Sequence, residues 1–273
     1  MLTRRHLMAA APGAALLSAD PSFAATQKIT ASQKMMVVKI SDKVVVWEVG
    51  LEAGETVRLR LASASPYKVF SVSAPGMRLT VVSTDGHPVE PVVVDALNVG
   101  GAETYDVLAT AKKAGKYPIL IDAPCDGRVL AYADLKATKV SNVTDPDRQV
   151  EVNLASGMRR QVWSGPAGDY IDVRDDIAID EDERVRLTLV NDTGVAQPLT
   201  LDGADFWLVN GQGARQPRKR GVTVATGDQL QIDVIARNLE PLTLRSLRLA
   251  THADLARPIR VRPADYSHGS DWG

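Results

Sequence analysis

Aromatic rings are scarce in this sequence, at 5% of the residues, and there is one cysteine and only four histidines. A core with so few rings must be filled by Val, Leu, Ile and Ala, as in sheet interiors built from branched aliphatics. Cys125 has no partner for an intrachain disulfide, so stability must come from packing even in an oxidising compartment. An excess of either charge is also missing, with 32 basic against 33 acidic residues, which removes the electrostatic basis for nucleic-acid binding. No later run approaches the roughly 20 apolar residues of a membrane span, so the mature chain is expected to be soluble, with no transmembrane segment. No serine sits in a nucleophile elbow and no glycine-rich loop follows a strand, leaving covalent hydrolysis and nucleotide binding without support.

What is present first is an export segment. Thr3-Arg4-Arg5-His6-Leu7 precedes a mildly apolar stretch from Met8 to Ala19 and a small-x-small cleavage site, Ser22-Phe23-Ala24. Residues 1–24 therefore read as a signal peptide, with Arg4, Arg5 and Ala24 as its marks. The arginine pair resembles the twin-arginine (Tat) signal, which implies periplasmic delivery; a general secretory signal that carries Arg-Arg is the alternative. Without residues 1–24, 30 basic and 32 acidic residues remain.

The rest is a succession of short apolar or alternating runs separated by turn signals such as Ala74-Pro75-Gly76, Asp85-Gly86, Asp126-Gly127 and Asp202-Gly203. Val57-Arg58-Leu59-Arg60-Leu61 and Val185-Arg186-Leu187-Thr188-Leu189 are nearly the same strand, 128 residues apart, each after an acidic turn. Residues 100–109 match residues 227–236, with Asp106 and Asp233 127 apart. Two matches at nearly one offset predict a duplicated domain. In each copy alternation puts Val57, Leu59 and Leu61 on one face and Arg58 and Arg60 on the other, the pattern of an all-β, two-layer sandwich. The expected division is residues 25–140, a polar linker at 141–149, residues 150–263, and a tail at 264–273.

Trp47-Glu48-Val49, residues 54–61, Leu79 to Gly86, Pro88, Pro91, Val94-Asp95, Gly101 and Tyr105-Asp106-Val107-Leu108 form a series that resembles the middle cupredoxin domain of three-domain multicopper oxidases of the laccase and copper-resistance type. The resemblance implies two tandem cupredoxin-like (plastocyanin-like) Greek-key sandwiches. It also implies that the first half holds no copper of its own and helps seat substrate or position its neighbours. The second half resembles the family's last domain, whose strand H-P-x-H-L-H-G appears here as Gln197-Pro198-Leu199-Thr200-Leu201-Asp202-Gly203. By that resemblance the degenerate copper-ligand positions are Gln197, Thr200, Asp202, Leu247, Arg248, Leu249 and Ala253, with His252 one residue out of register and Arg257-Pro258-Ile259 at the axial-methionine end. A blue-copper site needs two imidazoles and a thiolate, and the family's oxygen-reducing cluster needs about eight further imidazoles. After the signal only His87, His252 and His268 remain. The family's first domain is expected to be missing as well, since about 25 residues separate Ala24 from Trp47.

Other candidates are weaker. Cys125 sits in the turn Pro124-Cys125-Asp126 as a quiet thiol, and His87 is expected in a surface turn. His252 with Asp254, and His268 with Asp265 and Asp271, could grip a divalent metal weakly at the surface. The acidic stretch Asp172, Asp175, Asp176 and Asp180 to Glu183 lacks a calcium-loop pattern and reads as a solvated strand edge. The basic group Arg215, Arg218, Lys219 and Arg220 reads as a solvated loop. No catalytic residue, bound metal or cofactor is expected. The favoured expectation is a non-enzymatic periplasmic binding or scaffold protein with a protein partner. The alternative is copper handling, or a partial oxidase completed by a partner subunit. If Leu199 and Leu201 point outward beside Leu247 and Leu249, the former copper cleft is a docking surface. The oligomeric state is left open.

Overall fold

The computed structural model describes residues 35–40, 47–65, 68–121, 129–141, 145–154, 161–162, 177–247 and 256–264. The signal segment, Cys125, Arg248, Leu249, His252, Ala253, His268 and nearly all of the tail lie outside the described residues. So do Asp172, Asp175 and Asp176.

Two compact units are formed. The first comprises the described residues up to Ser141 together with Asn210–Arg218, and the second comprises those of Asn142–Val209 and Lys219–Gly273. The first unit runs β1 (Met35–Ile40), β2 (Trp47–Leu51), β3 (Thr56–Ser63), β4 (Phe70–Ser73), β5 (Met77–Thr84), β6 (His87–Val94), β7 (Ala96–Val99), β8 (Thr104–Ala111), β9 (Gly115–Ile121) and β10 (Val129–Leu130), then one 3₁₀ turn at Tyr132–Asp134. Its sheets have the orders β1-β3-β8-β5-β6 and β10-β7-β4-β9-β2. The second unit runs β11 (Arg148–Asn153), β12 (Gln161–Val162), β13 (Ile177–Asp180), β14 (Arg184–Val190), β15 (Gln197–Asp202) and β16 (Phe206–Val209). It continues, from a hairpin strand that starts in the first unit, through β17 (Arg218–Lys219), β18 (Gly221–Val224), β19 (Gln229–Ile235), β20 (Leu242–Ser246) and β21 (Ala256–Arg262). Its sheets have the orders β12-β11-β14-β19-β16-β17 and β13-β21-β20-β15-β18. In both units the entering strand pairs in parallel, β1 with β3 and β11 with β14. A parallel pair needs a crossover rather than a hairpin, here a crossover between the two sheets of a sandwich.

Alternation fixes which residues fill the core. Val57, Leu59 and Leu61 are at most 1% exposed, as are Val185, Leu187 and Leu189, while the arginines between them lie on the outer face. Pro75-Gly76 makes a tight turn in which Gly76 has φ +83° and Met77 N–H donates to Ala74 O, and Asp85 and Gly86 both adopt positive φ, as a primed hairpin turn requires. Gly203, at φ +96°, holds a conformation that side chains strain, and a Cβ there would stand 2.8 Å from Leu242 Cδ2 and force it to shift.

The repeat is real but its register differs from the sequence match. Glu52 N–H donates to the Glu55 carboxylate at 2.9 Å, and Asp180 N–H donates to Glu183 at 2.8 Å, so these turns are equivalent at an offset of 128. The turns close through Gly54 N–H to Ala111 O and Asp182 N–H to Ala236 O, which places β8 and β19 at an offset of 125. Asp106 and Asp233 are therefore two residues from equivalence: Asp106 lies opposite Arg60, but Asp233 lies opposite Arg186, the counterpart of Arg58. A slip of two preserves the face of every side chain, which is why alternation could not detect it.

Two boundaries also differ. Arg148 and Gln149, placed in the linker, already pair with Val185 and Arg186. Asn210–Arg218, from the second half of the sequence, belongs to the first unit. There Asn210 Nδ2 donates to Tyr132 O at 2.9 Å and Leu135 O at 2.7 Å. Arg215 pairs with Glu90, and Ser141 N–H donates to Ala214 O. Beside this segment the buried Glu103 carboxylate accepts from Gly100 N–H and from the Tyr105 and Tyr132 hydroxyls. Burial, then the Glu103 and Asp85 charges, hold the Tyr105 phenol well above its ordinary range.

Candidate functional site

The strand that resembles the copper-binding strand is β15, held between β18 and β20. Its pleat turns Gln197, Leu199 and Leu201 inward, at 3%, 1% and 4% exposure. Gln197 is thereby separated from Thr200 and Asp202, which lie on the other face. Gln197 Nε2 donates to Thr193 Oγ1 at 3.0 Å, and its Oε1 accepts from Ser246 Oγ at 3.2 Å. Thr200 is half-buried and donates weakly to Asp202 at 3.5 Å. Asp202 is exposed and accepts from Arg245 Nε at 2.9 Å. Leu247 is half-buried, and its N–H donates to Pro198 O.

Leu199 is inside the sandwich, so the expected docking surface built on Leu199 beside Leu247 does not exist; the parity that buries Leu201 buries it too. The described positions do not fit copper either. They offer an amide, a hydroxyl, an aliphatic chain and a carboxylate already held by an arginine, where copper requires imidazole and thiolate. Among the described residues, no three His, Cys, Asp or Glu side chains converge to hold a metal ion.

Two expectations for charged segments are corrected. The basic group is solvated only in part: Arg218 and Arg220 are exposed, Arg220 donating to Asp205 at 2.7 Å, but Lys219 is wholly buried and Arg215 is paired with Glu90. Among the described residues of the acidic stretch, Asp180 to Glu183, only Asp182 is largely exposed. Glu183 accepts from Arg148 at 2.9 Å and Asp180 from Arg262 at 2.7 Å. His87 is half-buried and opens β6 opposite Thr84 instead of sitting in the turn.

The electrostatic centres that sequence reasoning passed over are a repeated pair of triads. In the first unit Asp106 accepts from Arg58 Nη2 at 2.6 Å and from Arg60 Nε and Nη2 at 2.8 and 2.9 Å. Burial pushes the Asp106 carboxyl up, but hydrogen bonds from Arg60 and Arg58, with their charges, outweigh it and hold it below the usual value. The same bond raises Arg60. In the second unit Asp233 accepts from Arg184 Nη2 at 2.6 Å and from Arg186 Nε at 2.7 Å, which raises Arg186. The outward alternation of Arg58, Arg60 and Arg186 and the repeated aspartate were the available signal.

A multicopper oxidase family model, Cu-oxidase, matches residues 5–142, and a second, Cu-oxidase_2, matches residues 143–264. The chain belongs to the multicopper oxidase family. Multicopper oxidase MmcO of Mycobacterium tuberculosis is 25% identical over 215 residues, covering 68% of this chain and 42% of that protein. A copper resistance protein A homolog of Pseudomonas syringae pv. tomato is 44% identical over 62 residues, covering 23% of this chain and 10% of the relative. Among solved structures, Fet3p, a multicopper oxidase that functions in iron import, superposes with a TM-score of 0.60 at 15% identity, covering 84% of this chain and 57% of that one. A multicopper oxidase from Pediococcus acidilactici gives 0.59 at 18% identity, covering 85% and 52%. These two superpositions carry the fold alone. The chain spans about half the length of these full-length neighbours. Among the described residues no helix is long and apolar enough to cross a membrane.

Proposed function

We propose that this multicopper oxidase family member works without copper, as a periplasmic binding or scaffold protein that engages a protein partner. The observation that carries this reading is the use made of the copper strand: Gln197 is committed to Thr193 and Ser246, and Asp202 to Arg245. Function is argued from a site rather than a fold, and this site has been rebuilt as ordinary sandwich structure. Metal analysis of the exported, folded protein, with a phenol-oxidation assay, tests it. The expected result is less than about 0.1 copper per chain and no oxidation; stoichiometric copper overturns the reading.

A second reading is copper handling, or a partial oxidase completed by a partner subunit. It is favoured by the 44% identity over 62 residues to a protein named for copper resistance. Export by the twin-arginine route is part of the proposal. Arg4→Lys with Arg5→Lys is expected to leave the precursor in the cytoplasm, and normal export of that double variant would indicate the general secretory route.

A further inference from the structure

The two triads differ in how they are finished. In the second unit Arg184 is 4% and Arg186 19% exposed, and Asp233 is wholly buried. The Trp207 ring lies under the Arg184 guanidinium, 5.8 Å from centroid to Cζ, and the Asp147 carboxylate accepts the Arg184 backbone N–H. The Asp145 charge reaches Arg186. The neighbouring strand β11 presents Gln149, Glu151 and Asn153 on the same face, with Gln149 opposite Arg186. The Trp207 ring and the Asp145 charge thus add to that triad from within the unit.

The described strands of the first unit finish their triad differently. Arg60 is 45% and Arg58 26% exposed, and Arg58 Nε has no hydrogen-bond partner among the described residues. The neighbouring strand β1 places Met35 opposite Arg58, Val37 opposite Arg60 and Lys39 opposite Ala62. Met35 is 56% and Val37 57% exposed. The outward positions of β1, β3 and β8 therefore carry three cations, Lys39, Arg58 and Arg60, against one carboxylate, Asp106. Excess positive charge stands beside two exposed apolar side chains. Arginines fixed by a buried carboxylate lose little freedom when they bind a second one, and apolar surface beside them adds desolvation energy.

We propose that this face, centred on Met35, Val37, Arg58 and Arg60, docks an acidic polypeptide segment of a partner protein in which carboxylates alternate with apolar side chains. Charge complementarity selects the occupant: where the first unit has Val37 the second has Glu151, and the excess of cations over carboxylates on the first unit's face leaves that role to another chain. The proposal deepens the scaffold reading and rests on it.

The test uses the mature full chain and a fluorescein-labelled octapeptide alternating glutamate with valine, followed by fluorescence anisotropy. Saturable binding is expected, weakening about tenfold between ~20 and ~300 mM salt as screening sets in. Val37→Glu places a carboxylate opposite Arg60, which repels the acidic peptide and competes with it for that guanidinium, and is expected to weaken binding about tenfold without loss of cooperative melting. Arg60→Gln should weaken it about fivefold, and Arg237→Gln, at a 71%-exposed position of the second unit, less than twofold. A lysine-valine peptide should not bind. The proposal is overturned by absence of saturable binding, by indifference to Val37→Glu and Arg60→Gln, or by equal, equally sensitive binding to phosphatidylglycerol vesicles. Copper content of the same preparation separates the two ideas. Copper-free protein that ignores the peptide sinks only the docking face, and copper-loaded protein that binds it sinks only the copper-free reading.

Discussion

The two halves of the molecule carry one device, two arginines on an outer face gripping one aspartate, and surround it differently. In the second unit the aspartate is wholly buried and one arginine nearly so; in the first the aspartate is buried but its arginines reach solvent. A charge removed from water is costly unless paired, so the same bond is a structural necessity in one place and an option in the other. The difference teaches that two related sandwiches can build the same interaction two residues apart on the same face, with different exposure and therefore different use.

The strongest way to break this comparison is to remove the acids. Asp233→Asn removes the wholly buried carboxylate that Arg184 and Arg186 share and is expected to cost about 3–5 kcal/mol, read as loss of stability in urea unfolding. Asp106→Asn should cost less, about 1–2 kcal/mol, because Arg58 and Arg60 can rehydrate. Equal losses would mean that exposure does not govern the energetics.

The Asp106 variant also sharpens the comparison through pH. Its folded-state pKa is lowered, so the carboxylate's contribution is complete above the unfolded value of about 3.9 and disappears as pH falls through the folded one. The stability gap between wild type and Asp106→Asn is therefore expected to be constant from about pH 5 to 7 and to shrink below about pH 4.

Smaller effects follow elsewhere. Asn210→Ala removes the donors to Tyr132 O and Leu135 O and should lower the first unit's stability by about 1–2 kcal/mol, with hydrogen exchange rising around residues 129–141. Asp202→Asn, in an exposed pair with Arg245 at 51% and 47%, should change stability by at most about 0.5 kcal/mol. A large loss there would show that β15 bears a specific electrostatic load.

The sandwiches were legible because period-two alternation and turn chemistry are local. Val57-Arg58-Leu59-Arg60-Leu61 announces its faces, and Pro75-Gly76 and Asp85-Gly86 announce their turns. Register was not legible to better than two residues, since Asp106 and Asp233 look equivalent under any even slip. The outward face of β15 is left open for a related reason: Gln197, Thr200 and Asp202 are grouped by their resemblance to ligand positions, although Gln197 has the parity of Leu199 and Leu201. The burial of Lys219 and the partners of Arg215 depend on strands far away in sequence, which no local pattern encodes.

Asn210–Arg218 gives the molecule a particular order of assembly. On a ribosome, every described strand of the first unit has been made once Leu130 is complete, yet Tyr132, Leu135 and Ser141 wait for partners almost 80 residues downstream. At about 5–20 residues per second that is a pause of roughly 4–15 s, during which the second unit's first six strands are already emerging. The nascent first half therefore cannot be finished before the second has begun, and a gene cut between the halves would deliver a sandwich whose Tyr132, Ala133 and Leu135 carbonyls and Ala137 and Ser141 N–H groups are left to water.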